Sequence, residues 1–292
     1  MPNSISVILD SGAFSSWTKG KSIDIDEYIS FIKNVQDCVD SYICLDVIGD
    51  PIGTLKNQQY MESKGLNPMP VFHRNEDYSF LHNLISNYDY VGLGGMASGV
   101  GILDIQNHLD RCFDIICDQP CRLPKVKIHG FGLTAMELMF RYPWYSVDSS
   151  SWALTGAFGS IMFPKKVNGA LDFTLIPVKI KISDRAPQNT EEAIHFKTLS
   201  PAEQKYVLDY ITSKGFKLGV SSYKEVDKKY KLQKNERWVI KNKEVEVREE
   251  LGVSNDHNMR DKWNIQYFVE LEQHFRPWPW AFKPNKLEGF GL

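Results

Sequence analysis

Residues 125–148 read KVKIHGFGLTAMELMFRYPWYSVD and form one strand–helix–strand unit. Lys125–Ile128 reads as a strand that stops at His129-Gly130-Phe131-Gly132. Thr134–Arg141 reads as a helix, and Tyr145–Val147 as the next strand, ending at Asp148. Two strands joined through a helix imply a parallel pair with a right-handed crossover. The same alternation runs back to the N-terminus. Strands are expected at Ile5–Asp10, Tyr42–Val47, Met69–Phe72 and Tyr90–Leu93. Helices are expected at Asp24–Val35, Gly53–Lys64, Tyr78–Ser86 and Leu103–Cys117.

Six of these strands end in a polar residue or a glycine: Asp10, Asp46, His73, Gly94, His129 and Asp148. An open doubly wound sheet uses only the strand ends at its switch point, whereas a closed barrel gathers all of them on one face. Any one of the six is more often just the start of a loop; as a set they point to a shared pocket. The expected fold is therefore an α/β (β/α)8 TIM-like barrel, one domain over 1–292. Its last two strands would be Ser160–Lys165 and Thr174–Ile182. A helix at Leu199–Lys214 opens on LSPAEQ, and Met259–Phe275 reads as the final helix. Between the eighth strand and the final helix, 183–250 reads as an insertion whose later part is strongly basic. Its Lys224, Lys228, Lys229, Lys231, Lys234 and Arg237 are candidate nucleic-acid contacts, interleaved with Tyr223, Tyr230 and Trp238. The competing reading is a solvated charged hairpin.

Composition narrows the class further. A net charge of -2 gives no global basic field, so a nucleic-acid partner needs a local patch. Five cysteines, an odd number, without a secretory leader suggest reduced thiols in a cytoplasm-like compartment. No apolar run approaches the roughly 18–20 residues that span a bilayer, so no membrane partner is expected.

The strand ends suggest chemistry. Asp10-Ser11-Gly12-Ala13-Phe14 places a carboxylate before small residues that let a flat ligand approach the backbone. Asp148 sits among Ser146, Ser149, Ser150 and Ser151. Two carboxylates on one rim suit glycosyl transfer, one attacking the anomeric carbon and the other handling the leaving-group proton. Gly94-Gly95-Met96-Ala97-Ser98-Gly99 offers backbone N–H groups to a carbonyl or phosphate oxygen. His129-Gly130 permits another close approach. Each segment taken alone also reads as an ordinary loop start, cap or tight turn.

Taken in order, DSGAF, LDVIGDP, GLGGMASG, HGFGLT and SVDSSSW resemble the tRNA-guanine transglycosylase superfamily. They are most similar to its compact phage and bacterial branch, which places 7-deazaguanine bases in DNA. The resemblance covers about the first 165 residues and then only the last helix region. It implies that Asp148 is the nucleophile and Asp10 the general acid/base. It implies that Asp46 accepts hydrogen bonds from the purine edge, and that Gly94 and Gly95 donate to its O6. Ser11, His73 and Gly130 would line the base site, with Phe14 and His129 sandwiching the base. Ala13 stands where the family has a second glycine, and His73 near a family glutamine. The family's tRNA enzymes carry a Cys-x-Cys-x-x-Cys zinc run that this chain lacks. No metal and no cofactor are therefore expected, and DNA is favoured over tRNA. The implied partners are DNA and a 7-deazaguanine such as preQ0, with an oligomer or a partner protein left open. The implied location is the cytoplasm, the host's if the chain is phage-encoded. Three other readings stay open: the same exchange on tRNA, a non-catalytic nucleic-acid-binding subunit, and a metal-dependent barrel hydrolase using His73, His129 and the aspartates.

Overall fold

The structure is a computed structural model that describes residues 5–96, 99–133, 135–186 and 193–284. Ala97, Ser98 and Thr134, each part of a motif above, lie outside the described residues, as do 187–192 of the expected insertion. The chain forms two compact units, residues 1–149 with 276–292 and residues 150–275.

The first unit is built of β/α repeats: β1 (Ile8–Leu9), α1 (Ala13–Thr18), α2 (Ile25–Val35), β2 (Ser41–Tyr42), α3 (Pro51–Ser63), β3 (Val71–His73), α4 (Tyr78–Asn87), β4 (Tyr90–Gly94), α5 (Ile102–Ile116), β5 (Lys127–Gly130), α6 (Met136–Arg141) and β6 (Ser146–Val147). All its strand pairings are parallel and follow chain order. β1 pairs with β2, a parallel bridge between Ile43 and Met69 continues to β3, and β3, β4, β5 and β6 form one sheet. Helix starts are capped as the sequence suggests. Asp24 accepts from the backbone N–H groups of Asp26 and Glu27, Asp50 precedes Pro51 and accepts from Gly53, and Asp77 accepts from Ser79. Along α5, Ile105, Leu109, Cys112, Phe113 and Ile116 recur at helical spacing and are buried.

The sheet β3–β6 has two different faces because successive side chains alternate. Phe72, Val91, Leu93 and Ile128 point into a core with Leu81, Leu109, Phe113 and Leu138 from the helices. The alternate positions carry His73, Gly92, Gly94, His129 and Ser146. In the ladder Gly92 lies opposite Val71 and His129, Gly94 opposite His73, and His129 opposite Ser146. The chain's last described residues return to this unit. Phe282 is 1% exposed and packs with Phe113 and Tyr142, and Trp278 donates its indole N–H to the Pro143 carbonyl.

The second unit contains α7 (Ser151–Ala157), β7 (Ser160–Phe163), the hairpin β8 (Lys165–Val167) and β9 (Ala170–Asp172), β10 (Val178–Lys181), β11 (Ile194–His195), α8 (Pro201–Ser213), β12 (Val220–Glu225), β13 (Glu236–Ile240), β14 (Glu244–Glu250) and α9 (His257–His274). β7 and β10 correspond to the expected seventh and eighth strands, but they pair antiparallel. The reason is their connection. Instead of a crossover helix, a short hairpin joins them, and a hairpin returns the chain in the opposite sense. β10 pairs parallel with β11. Ser200 and Glu203 close a reciprocal capping box at the start of α8, as LSPAEQ suggests. The basic stretch is a three-stranded antiparallel sheet in the order β12-β14-β13. Asn264 and Trp263 of α9 hold β7 through the Met162 backbone N–H and carbonyl.

All five cysteines are free thiols, with Cys44, Cys112 and Cys117 in the core and Cys38 and Cys121 exposed. Among the described residues no helix is long and apolar enough to cross a membrane.

Gly130 is a packing requirement. A Cβ there would meet the Trp144 ring at 3.0 Å, and that ring is tethered by its N–H to the Leu138 carbonyl. Gly130→Ala is expected to destabilise the protein by about 1–3 kcal/mol through overpacking, measured as a lower urea midpoint by tryptophan fluorescence.

Candidate functional site

Two polar groups form at the C-terminal ends of the first unit's strands. The first begins where β1 ends. Asp10 is exposed, and Gly12 turns the chain into α1 with φ 74, a left-handed conformation that favours glycine. The turn buries Ser11, whose hydroxyl lies 3.2 Å from Asp46 Oδ1 and 3.3 Å from the Ala13 N–H. Asp46 follows β2 on a segment pinned from α3. The Asn57 amide donates to the Leu45 carbonyl and the Val47 N–H donates to the Thr54 hydroxyl.

His73 ends β3 and brings its Nε2 to 2.9 Å from Asp46 Oδ2. No hydrogen bond joins the two at this alignment. Gly94 makes room for this ring. A Cβ at Gly94 would lie 2.8 Å from His73 Nδ1. A Cβ at Gly95, which sits at φ 81, would lie 2.9 Å from the Arg74 backbone N and Cβ, so only glycine fits there. Among the described residues the Gly95 N–H has no acceptor. Glu76, which the sequence reading did not single out, accepts from the His73 backbone N–H at 3.0 Å.

Charge is costly in this group. Burial, with a smaller contribution from the Asp10 charge, pushes the Asp46 carboxyl up to about 6, against hydrogen bonds from the backbone and Ser11. Burial lowers the affinity of His73 for a proton and raises that of Glu76.

The second group lies on β5 and β6. His129 is 4% exposed, with Nδ1 2.6 Å from the Ser146 hydroxyl, which lies 2.5 Å from the Tyr90 hydroxyl at the start of β4. Phe131 packs edge-on against the His129 ring at 4.5 Å, in space left by Gly92, where a Cβ would come within 2.3 Å of the Phe131 ring. His129 Nε2 stands 3.7 Å from Asp148 Oδ1, beyond hydrogen-bond distance. The same Oδ1 accepts the Gly132 N–H at 2.6 Å. Burial disfavours charge on Asp148, but the His129 contact and the Gly132 N–H outweigh it and hold the carboxyl below the usual carboxylate range. The side chain is 60% exposed, which keeps that preference modest. Among the described residues Asp148 Oδ2 has no hydrogen-bond partner.

The structure thus brings Ser11, Asp46, His73, Gly94 and Gly95 together, and sets His129 with Asp148. Asp10 acts on Asp46 and Tyr28 and is not among the groups that perturb Asp148. Phe14 lies on α1 with its ring 51% exposed, 6.1 Å from Trp17. No ring contact among the described residues joins it to His129. Gly130 faces Trp144. Tyr90 was not singled out by motif reading, and Ser146 was read only as one of the small hydroxyl residues around Asp148. Strand alternation marks both, since Tyr90 precedes Gly92 by two and Ser146 precedes Asp148 by two.

The basic residues of the second unit divide into two sets. Lys224 donates to Glu236 and Tyr230, and Arg237 forks onto the buried Glu246, so their charges are already matched. Lys228, Lys229, Lys231 and Lys234 are exposed between β12 and β13 and enter no ion pair among the described residues. Among the described residues no group of three or more His, Cys, Asp or Glu side chains is arranged to hold a metal ion.

Compared with known proteins, the chain matches no family model and no curated relative.

Asp46 gives a signed pH dependence. Its folded value lies above its unfolded value of about 3.9, so the native state favours the protonated form. Its contribution to stability is complete below pH ~4 and is lost as pH rises through about 6. Asp46→Asn is expected to be more stable than the parent by about 1–2 kcal/mol at pH 7.5, and to show no such gain at pH 4. Urea denaturation at the two pH values measures this.

Proposed function

We propose that this protein exchanges guanine in DNA for a 7-deazaguanine base, such as preQ0, through a covalent glycosyl intermediate on Asp148. The observation that carries the reading is the state of Asp148. Its Oδ1 is held by the Gly132 N–H and faces His129, its carboxyl favours the ionised form, and its Oδ2 has no hydrogen-bond partner among the described residues. A nucleophilic carboxylate needs this combination: charge at neutral pH and one unengaged oxygen.

In this reading Asp148 Oδ2 bonds to C1′ of the target nucleotide as the C1′–N9 bond breaks. The base leaves with the bonding electron pair and takes a proton from Asp10. In the second half, Asp10 removes a proton from the incoming base, whose nitrogen attacks C1′ and releases Asp148. Ser11, Asp46 and His73 offer donors and acceptors suited to a purine edge, and the Gly95 N–H suits the O6 carbonyl. Asp46 has the further property of holding a proton up to about pH 6, so it can present an acceptor or a donor near neutrality. The target base has to leave the duplex stack to reach such a site. Lys228, Lys229, Lys231 and Lys234 are the candidates for backbone phosphate contacts, with a steep salt dependence of binding.

The reading carries with it a TIM-like barrel in the cytoplasm of the producing or infected cell. Its support is the six parallel strands in chain order. The antiparallel β7–β10 pair departs from a regular eightfold barrel.

The test is incorporation of labelled guanine and labelled 7-deazaguanine into duplex DNA, single-stranded DNA and unmodified tRNA, beside Asp148→Ala. Incorporation into DNA that falls at least about 10³-fold in the variant is expected. Incorporation only into tRNA moves the substrate to RNA. No exchange into any of them by the folded protein overturns the reading in favour of a binding subunit.

A further inference from the structure

The chain Tyr90–Ser146–His129 runs across three neighbouring strands and ends beside Asp148. The three side chains converge at hydrogen-bond distance on the polar face of the sheet. We propose that Tyr90 and Ser146 are positioning residues that fix the proton of His129 on Nε2, so that the ring presents an N–H to Asp148 Oδ1 and leaves Oδ2 as the attacking oxygen. The proposal rests on Asp148 being the nucleophile.

The argument is one of proton counting. Ser146 Oγ lies 2.5 Å from the Tyr90 oxygen and 2.6 Å from His129 Nδ1, and a serine hydroxyl has a single proton to give. In one direction Tyr90 donates to Ser146 and Ser146 donates to Nδ1. Nδ1 is then the bare nitrogen and Nε2 carries the hydrogen. In the other direction Nδ1–H donates to Ser146 and Ser146 donates to Tyr90. A neutral ring would then aim its Nε2 lone pair at a carboxylate oxygen 3.7 Å away. The first arrangement turns that repulsion into attraction.

Packing fixes the ring plane. Phe131 braces His129 at 4.5 Å, and it can do so because Gly92, the ladder partner of His129, has no side chain. The Gly132 N–H holds the same carboxylate oxygen from the backbone. The Gly132 N–H is the hydrogen bond on Oδ1, and an Nε2–H would point its dipole at the same oxygen from 3.7 Å. A carboxylate engaged on one oxygen alone directs its remaining lone pairs from the other.

The experiment uses the full-length protein with ¹⁵N-labelled histidine. Its seven imidazoles are resolved by two-bond ¹⁵N–¹H correlation, and His129 is assigned by its loss in His129→Gln. The parent is expected to show an unprotonated Nδ1 and a protonated Nε2 at pH 7.5. Ser146→Ala should move His129 to a tautomer mixture, Tyr90→Phe should move it partly, and Ser146→Thr, which keeps the hydroxyl, should restore the parent pattern. In the labelled-base exchange assay Ser146→Ala should lower kcat about 10- to 100-fold, the range typical of residues that orient a reacting group's partner, with KM changed less than about 3-fold. Urea denaturation of each variant separates loss of fold from loss of position. An Nδ1–H tautomer in the parent, or an unchanged His129 signature in folded Ser146→Ala, overturns the proposal. The expected signature in a parent protein that exchanges no base leaves the hydrogen-bond chain standing and removes the transglycosylase reading and Asp148's role with it.

Discussion

Each strand from β3 to β6 answers two demands with alternate residues. One set of side chains, including Phe72, Val91, Leu93 and Ile128, must be apolar and bulky because helices cover it. The other set is polar or absent: His73, Gly92, Gly94, His129 and Ser146. Since the period along a strand is two, the demands share one register. A slip of one residue in β5 would bury His129 in the core and turn Ile128 towards Tyr90 and Ser146. The register that makes the core is therefore the register that makes the site. The glycines belong to the same constraint, because Gly92 and Gly94 yield the volume that the Phe131 and His73 rings occupy.

Two carboxylates on this unit meet opposite fates through their surroundings. Asp46 is mostly enclosed and keeps a proton to about pH 6, with the Asp10 charge adding to the effect of burial. Asp148 is more open, receives a backbone N–H, faces an imidazole, and favours its charge. Chemistry that needs an ionised group and a protonated one at the same pH requires such a division. The sequence reading pairs Asp10 with Asp148 on one rim. The acid that Asp10 neighbours is Asp46, at the end of the adjoining strand.

The first unit was legible because its signals are local. Asp24, Asp50 and Asp77 announce helix starts, α5 repeats its apolar residues at helical spacing, and polar residues or glycines close the strands. Strand direction in the second unit was less legible. Ser160–Phe163 and Val178–Lys181 read correctly as strands, but only the eight-residue hairpin between them determines that they run antiparallel. The basic stretch reads as one block of charge, whereas in three dimensions Lys224 and Arg237 face glutamates that lie 12 and 9 residues further along the chain. Charge matching across a sheet depends on strand pairing, which composition does not record. Tyr90, and the role of Ser146, escaped motif reading for a related reason. Their importance comes from meeting His129 across neighbouring strands, 56 residues apart in sequence.

The chain leaves the first unit one residue after Asp148 and comes back to it at Arg276. During synthesis the N-terminal part emerges first, so residues 150–275 are all made before Phe282 can fill its place among Phe113 and Tyr142. The first unit's core thus draws on chain from both sides of the second unit. A nascent chain paused inside the second unit presents an open aromatic slot at Tyr142, and that slot stays open until Phe282 is made.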